Sequence, residues 1–345
     1  MSLNHPMLGT MLQYQEKLND VFDPAWRTNR HSYLRAAAVE CAELVDDYEH
    51  HGLRSAMVEC SKLIEHSNYK WWKKASRDEQ QLKADLKRIL TEMLSTFTSP
   101  AALKASWGEE PTEIVFDGTT YQIQEMPGLE LMDLLMGLCA QGRVSFALYR
   151  AVCRKVLPDE ACPEINAEDP PEFKAARKSQ MDIKQMMLEV VDMAHFLLSE
   201  IARAENEPEA ARLKLLSLWS DSTSTIQFDG QSYTFDDMDA AQRMDLMVAL
   251  CCGRKINFEL YRRIMQDIGL SFASLYRMYA AKNVLNLFRQ HNGDKQGTYI
   301  KIWMGREDNV YLADLMETWT EEEGMDVLYA RLKDCYVELA LGGQA

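Results

Sequence analysis

The chain has 345 residues, with 38 Lys+Arg against 53 Asp+Glu and a formal net charge of −15. A surface this acidic repels phosphate backbones at long range, which argues against a nucleic-acid polymer as partner. Hydrophobic residues at 47% and charged residues at 26% exclude a disordered chain, and no apolar run approaches the ~20 residues needed to cross a bilayer.

The opening stretch MSLNHPMLGTMLQYQEKLND has no charged n-region, apolar h-region or cleavage site. The expectation is a soluble cytoplasmic protein with no membrane partner. The eight cysteines, Cys41, Cys60, Cys139, Cys153, Cys162, Cys251, Cys252 and Cys335, form no C-x-x-C pair and fall mostly inside apolar helical patterns. They read as reduced core thiols, not as a disulfide framework or a zinc site.

Apolar residues at three- and four-residue spacing predict helices over 7–20, 33–48, 54–74 and 78–97. The pattern then changes: Ile114, Phe116, Tyr121 and Ile123 alternate around Asp117-Gly118, a β-hairpin signal, because a type I′ turn needs positive φ at both central residues. Helices follow over 129–140, 144–157, 182–204 and 209–219. A second hairpin is centred on Asp229-Gly230, and further helices cover 238–251, 257–268, 271–290 and 325–340. The fold class is all-α, a mostly helical bundle with two small β-hairpins.

The hairpins expose an internal repeat. EIVFDGTTYQI followed by LMDLLMGLCAQGRVSFALYRAVCRKVL is answered by TIQFDGQSYTF and RMDLMVALCCGRKINFELYRRIMQDIG at an offset of 112. Phe116 matches Phe228, Asp133 matches Asp245, and Tyr149 matches Tyr261; residues 84–95 also lie, more loosely, on 188–199. Between the copies, residues 157–172 hold four of the ten prolines and six acids, the composition of a linker.

Helix 33–48 carries Glu40 and Glu43 three residues apart, so both carboxylates leave one face of an otherwise apolar helix. Helix 182–204 repeats the arrangement with Glu189 and Asp192. Either pair alone also fits solvated surface charge. Four convergent carboxylates would make an oxygen cage for a hard divalent cation, Mg²⁺ or Mn²⁺. In 282–309, Lys282, Arg289, Lys295 and Lys301 gather positive charge around Gly293, Gly297 and Gly305, as a phosphate-gripping loop or a cation-capped helix end would. Residues 69–74, YKWWKK, join aromatic faces to cations, and Gln15 and Asn19 lie one helical turn apart.

Taken together, MLQYQEKLN (11–19), VECAEL (39–44), YKWWKK (69–74), EVVDMAHF (189–196) and KNVLNLFRQHNG followed by KQGTYIKIWMGREDN (282–309) resemble the all-α nucleoside triphosphate pyrophosphatases. The likeness is to the dimeric dUTPases of kinetoplastids, some bacteria and phages, and it covers residues 7–74 and 180–340. It implies Mg²⁺-dependent hydrolysis of dUTP to dUMP and pyrophosphate, with Glu40, Glu43, Glu189 and Asp192 as magnesium ligands. Gln15 and Asn19 would read uracil, Trp71 and Lys73 would belong to the base-pocket motif, and His195 and Phe196 would flank the base and sugar. Asn286 would meet the 3′-hydroxyl. Lys282, Arg289, Lys295 and Lys301 would hold phosphates, and Tyr299 belongs to the same substrate-binding set.

Three departures stand out. About 25 residues separate the VECAEL and YKWWKK motifs where the family has a few, and within them VECSKL (58–63) has Lys62 in place of the second Glu. The helix matching EVVD carries Asp85 and Arg88, so the first copy cannot bind the same metals and one active site per chain is expected. Asp294 stands where the family has tyrosine. The resulting division is 1–50, N-terminal catalytic helices; 51–157, a degenerate repeat copy; 158–175, a linker; and 176–345, the catalytic copy with the phosphate segment. Assembly would be an intrachain pseudo-dimer, or a homodimer as in the family. The alternatives are a pyrophosphatase acting on dCTP or a modified pyrimidine nucleotide, or a non-catalytic nucleotide-binding homologue.

Overall fold

A computed structural model of the chain describes residues 4–29, 31–46, 48, 56–57, 60, 79–96, 112–156, 183–205 and 207–338. In chain order its first elements are α1 (Asn4–Phe22), α2 (Tyr33–Asp46) and α3 (Glu79–Ser95). Strands β1 (Glu113–Phe116) and β2 (Thr119–Gln122) precede α4 (Gly128–Ala140), α5 (Phe146–Val156), α6 (Ile183–Ala204) and α7 (Pro208–Ser220). Strands β3 (Thr225–Phe228) and β4 (Gln231–Thr234) precede α8 (Ala240–Cys252), α9 (Phe258–Asp267) and α10 (Phe272–His291). The chain then forms β5 (Ile302–Trp303), β6 (Arg306–Glu307), α11 (Asp308–Thr318) and α12 (Met325–Tyr336). The fold is all-α, with both expected hairpins in place. Most of the helix expected over 54–74 falls outside the described residues, as do Trp71 and Lys73. Among the described residues no helix is long and apolar enough to cross a membrane.

Two compact units result, one of Met1–Arg30, Leu198–Ser217 and Leu270–Ala345, the other of His31–Leu197 and Leu218–Gly269. In the second unit α2 packs against α8, α8 against α4 and α9, and α4 against α5. Ala36, Ala37, Ala38 and Ala42 are wholly buried on α2, and side chains no larger than a methyl let a neighbouring helix approach closely. The start of α2 is pinned by Arg35, whose Nε and Nη2 donate to the two Asp133 oxygens at 2.6 and 2.7 Å, and Arg254 adds a third bond at 2.6 Å. A buried ion pair of this kind adds little net stability, but losing one partner strands the other, so it fixes the seating of α2 on α4.

The two hairpins share one geometry. Asp117 and Gly118 have φ of 49° and 71°, Asp229 and Gly230 of 47° and 75°, both central residues positive as a type I′ turn requires. Their tips meet: Asp117 N donates to Asp229 Oδ1 at 2.7 Å, and Asp229 N donates to Asp117 Oδ1 at 3.3 Å. Arg143 pairs with Asp229, and Lys255 with Asp117 at 2.7 Å. Phe116 and Phe228 meet edge to face at 5.6 Å. A Cβ on Gly137 would lie 2.7 Å from the Phe116 ring and 3.0 Å from Cys252 Cβ, which is why no side chain fits there. Deeper in the unit, the Tyr149 hydroxyl donates to Leu86 O at 2.6 Å and the Tyr261 hydroxyl to Val190 O at 2.8 Å. Burial pushes the Cys41 and Cys252 thiols well up and Cys251 to about 12, so all three stay protonated and inert.

In the first unit α1 lies along α10, and the C-terminal elements pack on the far part of α10. Phe288 is their hub, with ring centroids of Tyr329 and Tyr336 at 5.4 and 5.3 Å and Trp303 at 6.3 Å. Hairpin β5–β6 and helix α11 were not expected from the sequence. The hairpin turns at Met304 and Gly305, with φ of 45° and 81°, and methionine is no turn signal. Helix α11 buries only Asp308 and Leu312, too few for an apolar stripe to be read.

Candidate metal centre

The second unit brings together carboxylates far apart in sequence. Glu40 and Glu43 on α2 and Glu189 on α6 each offer an oxygen within 4.8 Å of the others. Glu40 is 2% exposed and Glu189 5%, while Glu43 is half-buried. The i,i+3 spacing on α2 aims both its carboxylates at α6, and Tyr261 holds the Val190 carbonyl beside Glu189. Gln185, one turn earlier on α6, donates from Nε2 to Glu189 Oε1. Asp192 lies one turn past Glu189, half-buried and close enough for its charge to help raise the Tyr261 hydroxyl, after burial itself. The set that closes within 4.8 Å is the three glutamates.

Three carboxylates this close repel one another when ionised, and a cation seated among them would relieve that repulsion. All donors are hard oxygens, and the donor set fits Mg²⁺ or Mn²⁺ better than a metal that prefers nitrogen or sulfur. His195 is buried and Phe196 half-buried on the same helix.

Within the first unit the structure joins Gln15 and Asn19: Gln15 Nε2 donates to Asn19 Oδ1 at 2.9 Å. Two groups the sequence did not single out join them. The Tyr279 hydroxyl donates to Gln15 Oε1 at 2.7 Å, and Asn19 Nδ2 donates to Ser199 Oγ at 3.0 Å. Asn283, one turn beyond Tyr279 on α10, is 1% exposed, and among the described residues nothing accepts from its Nδ2. Lone hydroxyls 180 and 264 positions from their partners leave no local pattern to read; Asn283 stood beside Lys282 in a motif already noted.

The cations of the first unit divide in character. Lys282 and Asn286 are half-buried on α10. Arg289 forks onto Asp308 with two bonds of 2.8 Å; burial opposes its charge, but those bonds outweigh burial and hold its pKa above the usual value. The Tyr299 hydroxyl also donates to Asp308, at 2.8 Å, and burial, then Asp308, push its pKa up, so it stays a donor. Lys295 sits 4.5 Å over the Phe22 ring, and exposed Lys301 lies 3.7 Å from Glu307. Asp294 accepts from Gln290 Nε2 at 3.3 Å.

Comparison with known families matches residues 170–293 to the dUTPase family model. Glu189, Asp192, His195, Phe196 and the first phosphate residues fall inside that stretch; α1 and α2 precede it. Among curated proteins no match is found.

Proposed function

Because residues 170–293 match the dUTPase family model, we propose that the chain converts dUTP to dUMP and pyrophosphate with Mg²⁺, Mn²⁺ being the alternative ion. The observation that carries the reading is the Glu40–Glu43–Glu189 group, three carboxylates from two helices whose oxygens lie within 4.8 Å of one another, the hard-oxygen set that a divalent cation takes. Those three residues would hold the ion, with Asp192 completing the carboxylate set. When bound, the ion neutralises charge on the triphosphate and makes water easier to ionise.

The chain's own residues do the rest. Glu43, half-buried where Glu40 and Glu189 are buried, takes the proton from the attacking water. The water oxygen bonds to the α-phosphorus, the bond from that phosphorus to the bridging oxygen breaks, and pyrophosphate leaves. Gln15 and Asn19 read the uracil edge, with Trp71 and Lys73 contributing to its pocket, and His195 and Phe196 flank base and sugar. Asn286 holds the 3′-hydroxyl. Lys282, Lys295 and Lys301 meet phosphates directly. Arg289 and Tyr299, both committed to Asp308, keep the segment after α10 folded back for that purpose.

Residues 51–157 are read as a degenerate second copy of the catalytic helices, standing in for a partner subunit. The reciprocal hairpin contact and the paired tyrosine bonds support this. Light scattering should then return the mass of a single chain, and a stable species of twice that mass would favour a homodimer. A panel of dUTP, dTTP and dCTP, assayed for pyrophosphate release with Mg²⁺, tests the function. Preference for dUTP is expected. Equal use of dCTP would favour the alternative pyrimidine substrate, with Asp294 the first residue to change, and no release from any of them would leave a nucleotide-binding protein.

A further inference from the structure

Among the described residues, Asn283 is a buried donor without an acceptor. It sits in the interior of α10, 1% exposed, and its Nδ2 makes no hydrogen bond. Its helix neighbours Tyr279, Ala280 and Val284 are buried as well. A carboxamide in such a place gives up its bonds to water and gains none from the protein, which destabilises the fold. Leucine has nearly the same shape, carries no such penalty and is the better helix former, so stability does not account for the asparagine.

Helix register brings this donor to the polar side chains of α1. The Tyr279 hydroxyl lies 2.7 Å from Gln15 Oε1 and 3.1 Å from Met11 O. Lys295, just past the end of α10, covers the Phe22 ring at 4.5 Å. Residue numbers rise together along the two packed helices, so α1 and α10 run the same way. One turn on from Tyr279 is Asn283, and one turn on from Gln15 is Asn19. Asn19 is bonded to Gln15 at 2.9 Å and to Ser199 at 3.0 Å. The Asn283 amide therefore stands level with the two amides assigned to the base edge.

That setting selects the kind of acceptor. An ionised phosphate seated among buried apolar side chains would be strongly penalised, whereas a neutral carbonyl oxygen is not, and it accepts readily from an amide N–H. Pyrimidine bases carry such oxygens on the ring edge. We propose that Asn283 is a further base-contacting residue, its Nδ2 donating to a ring carbonyl oxygen of the bound pyrimidine nucleotide. The proposal rests on the assignment of Gln15 and Asn19 to the base.

Titration calorimetry of the full-length wild type, Asn283→Leu and Asn283→Ala tests this, with dUMP and pyrophosphate as separate probes in Mg²⁺, alongside thermal melting. Asn283→Leu should weaken dUMP binding about tenfold, the loss of one buried hydrogen bond to the ligand, and leave pyrophosphate affinity unchanged. Its melting temperature without ligand should stay level or rise by about a few degrees, because a buried donor without an acceptor has been removed. A fold at least as stable together with weaker dUMP binding is a pair that a merely structural asparagine would not give. Asn283→Ala should show the same loss for dUMP alone, and decides the matter if the leucine variant does not fold. Unchanged dUMP affinity in both variants, or dUMP and pyrophosphate weakened alike, overturns the proposal. A wild type that binds pyrophosphate but not dUMP would instead overturn the nucleotide reading beneath it, and the proposal with it.

Discussion

Helices α3 and α6 sit in equivalent hydrogen-bonding positions and do opposite things. Each has a carbonyl held by a buried tyrosine hydroxyl, Leu86 by Tyr149 and Val190 by Tyr261, and each has a buried acid just before that carbonyl, Asp85 and Glu189. Two residues after the carbonyl they part. On α3 Arg88 pairs with Asp85, one turn of helix apart, so the charge is neutralised by its own element. On α6 the matching residue is Asp192, and Glu189 meets Glu40 and Glu43 instead. A change of charge at an equivalent backbone position separates an i,i+3 ion pair on one helix from a group of three carboxylates on two.

The largest effects should follow that division. Glu43→Gln should lower the rate of pyrophosphate release from dUTP by about 10²- to 10⁴-fold, the range spanned by a positioned acid–base group, and steady-state kinetics would show it. Asp85→Asn should leave turnover unchanged, and a large loss there would mean that α3 takes part in the chemistry. Glu59→Gln should likewise be close to silent, since Lys62 stands where a second acid would be needed.

The tyrosines sharpen the comparison at a smaller scale. Tyr149→Phe and Tyr261→Phe each remove one buried hydrogen bond to a carbonyl, and each should cost about 1 kcal/mol in urea unfolding. Only Tyr261→Phe should also slow turnover, because the carbonyl it holds is on α6, the helix that carries Glu189. Equal kinetic losses from both would make the two helices functional equals. Smallest of all, Asp117→Asn removes the charge that meets Lys255 at the hairpin tips but keeps a residue that tolerates the positive φ, and should cost no more than about 1 kcal/mol, with turnover kept.

The sequence carried much of this because its signals are local. Glutamates at i,i+3 on an apolar helix and Asp-Gly between alternating residues are visible within short windows, and each has its counterpart in the structure. What escaped depends on distant segments meeting. Ser199 and Tyr279 gain meaning only when α6, α1 and α10 bring them to Asn19 and Gln15. The charge of Arg289 and its motif could be read from the sequence, whereas its fork on Asp308 appears only once the chain after α10 folds back. Hairpin β5–β6 was hidden because Met304 takes a left-handed conformation that methionine seldom signals.

The most direct test is Mg²⁺-dependent release of pyrophosphate from dUTP, measured side by side for the wild type, Glu189→Gln and Asp85→Asn, each before and after chelation of the metal. The account predicts that the wild type and Asp85→Asn turn over at the same rate and lose it on chelation, while Glu189→Gln is already close to inactive with Mg²⁺ present. Turnover that survives chelation, or a Glu189→Gln variant as fast as the wild type, would contradict it.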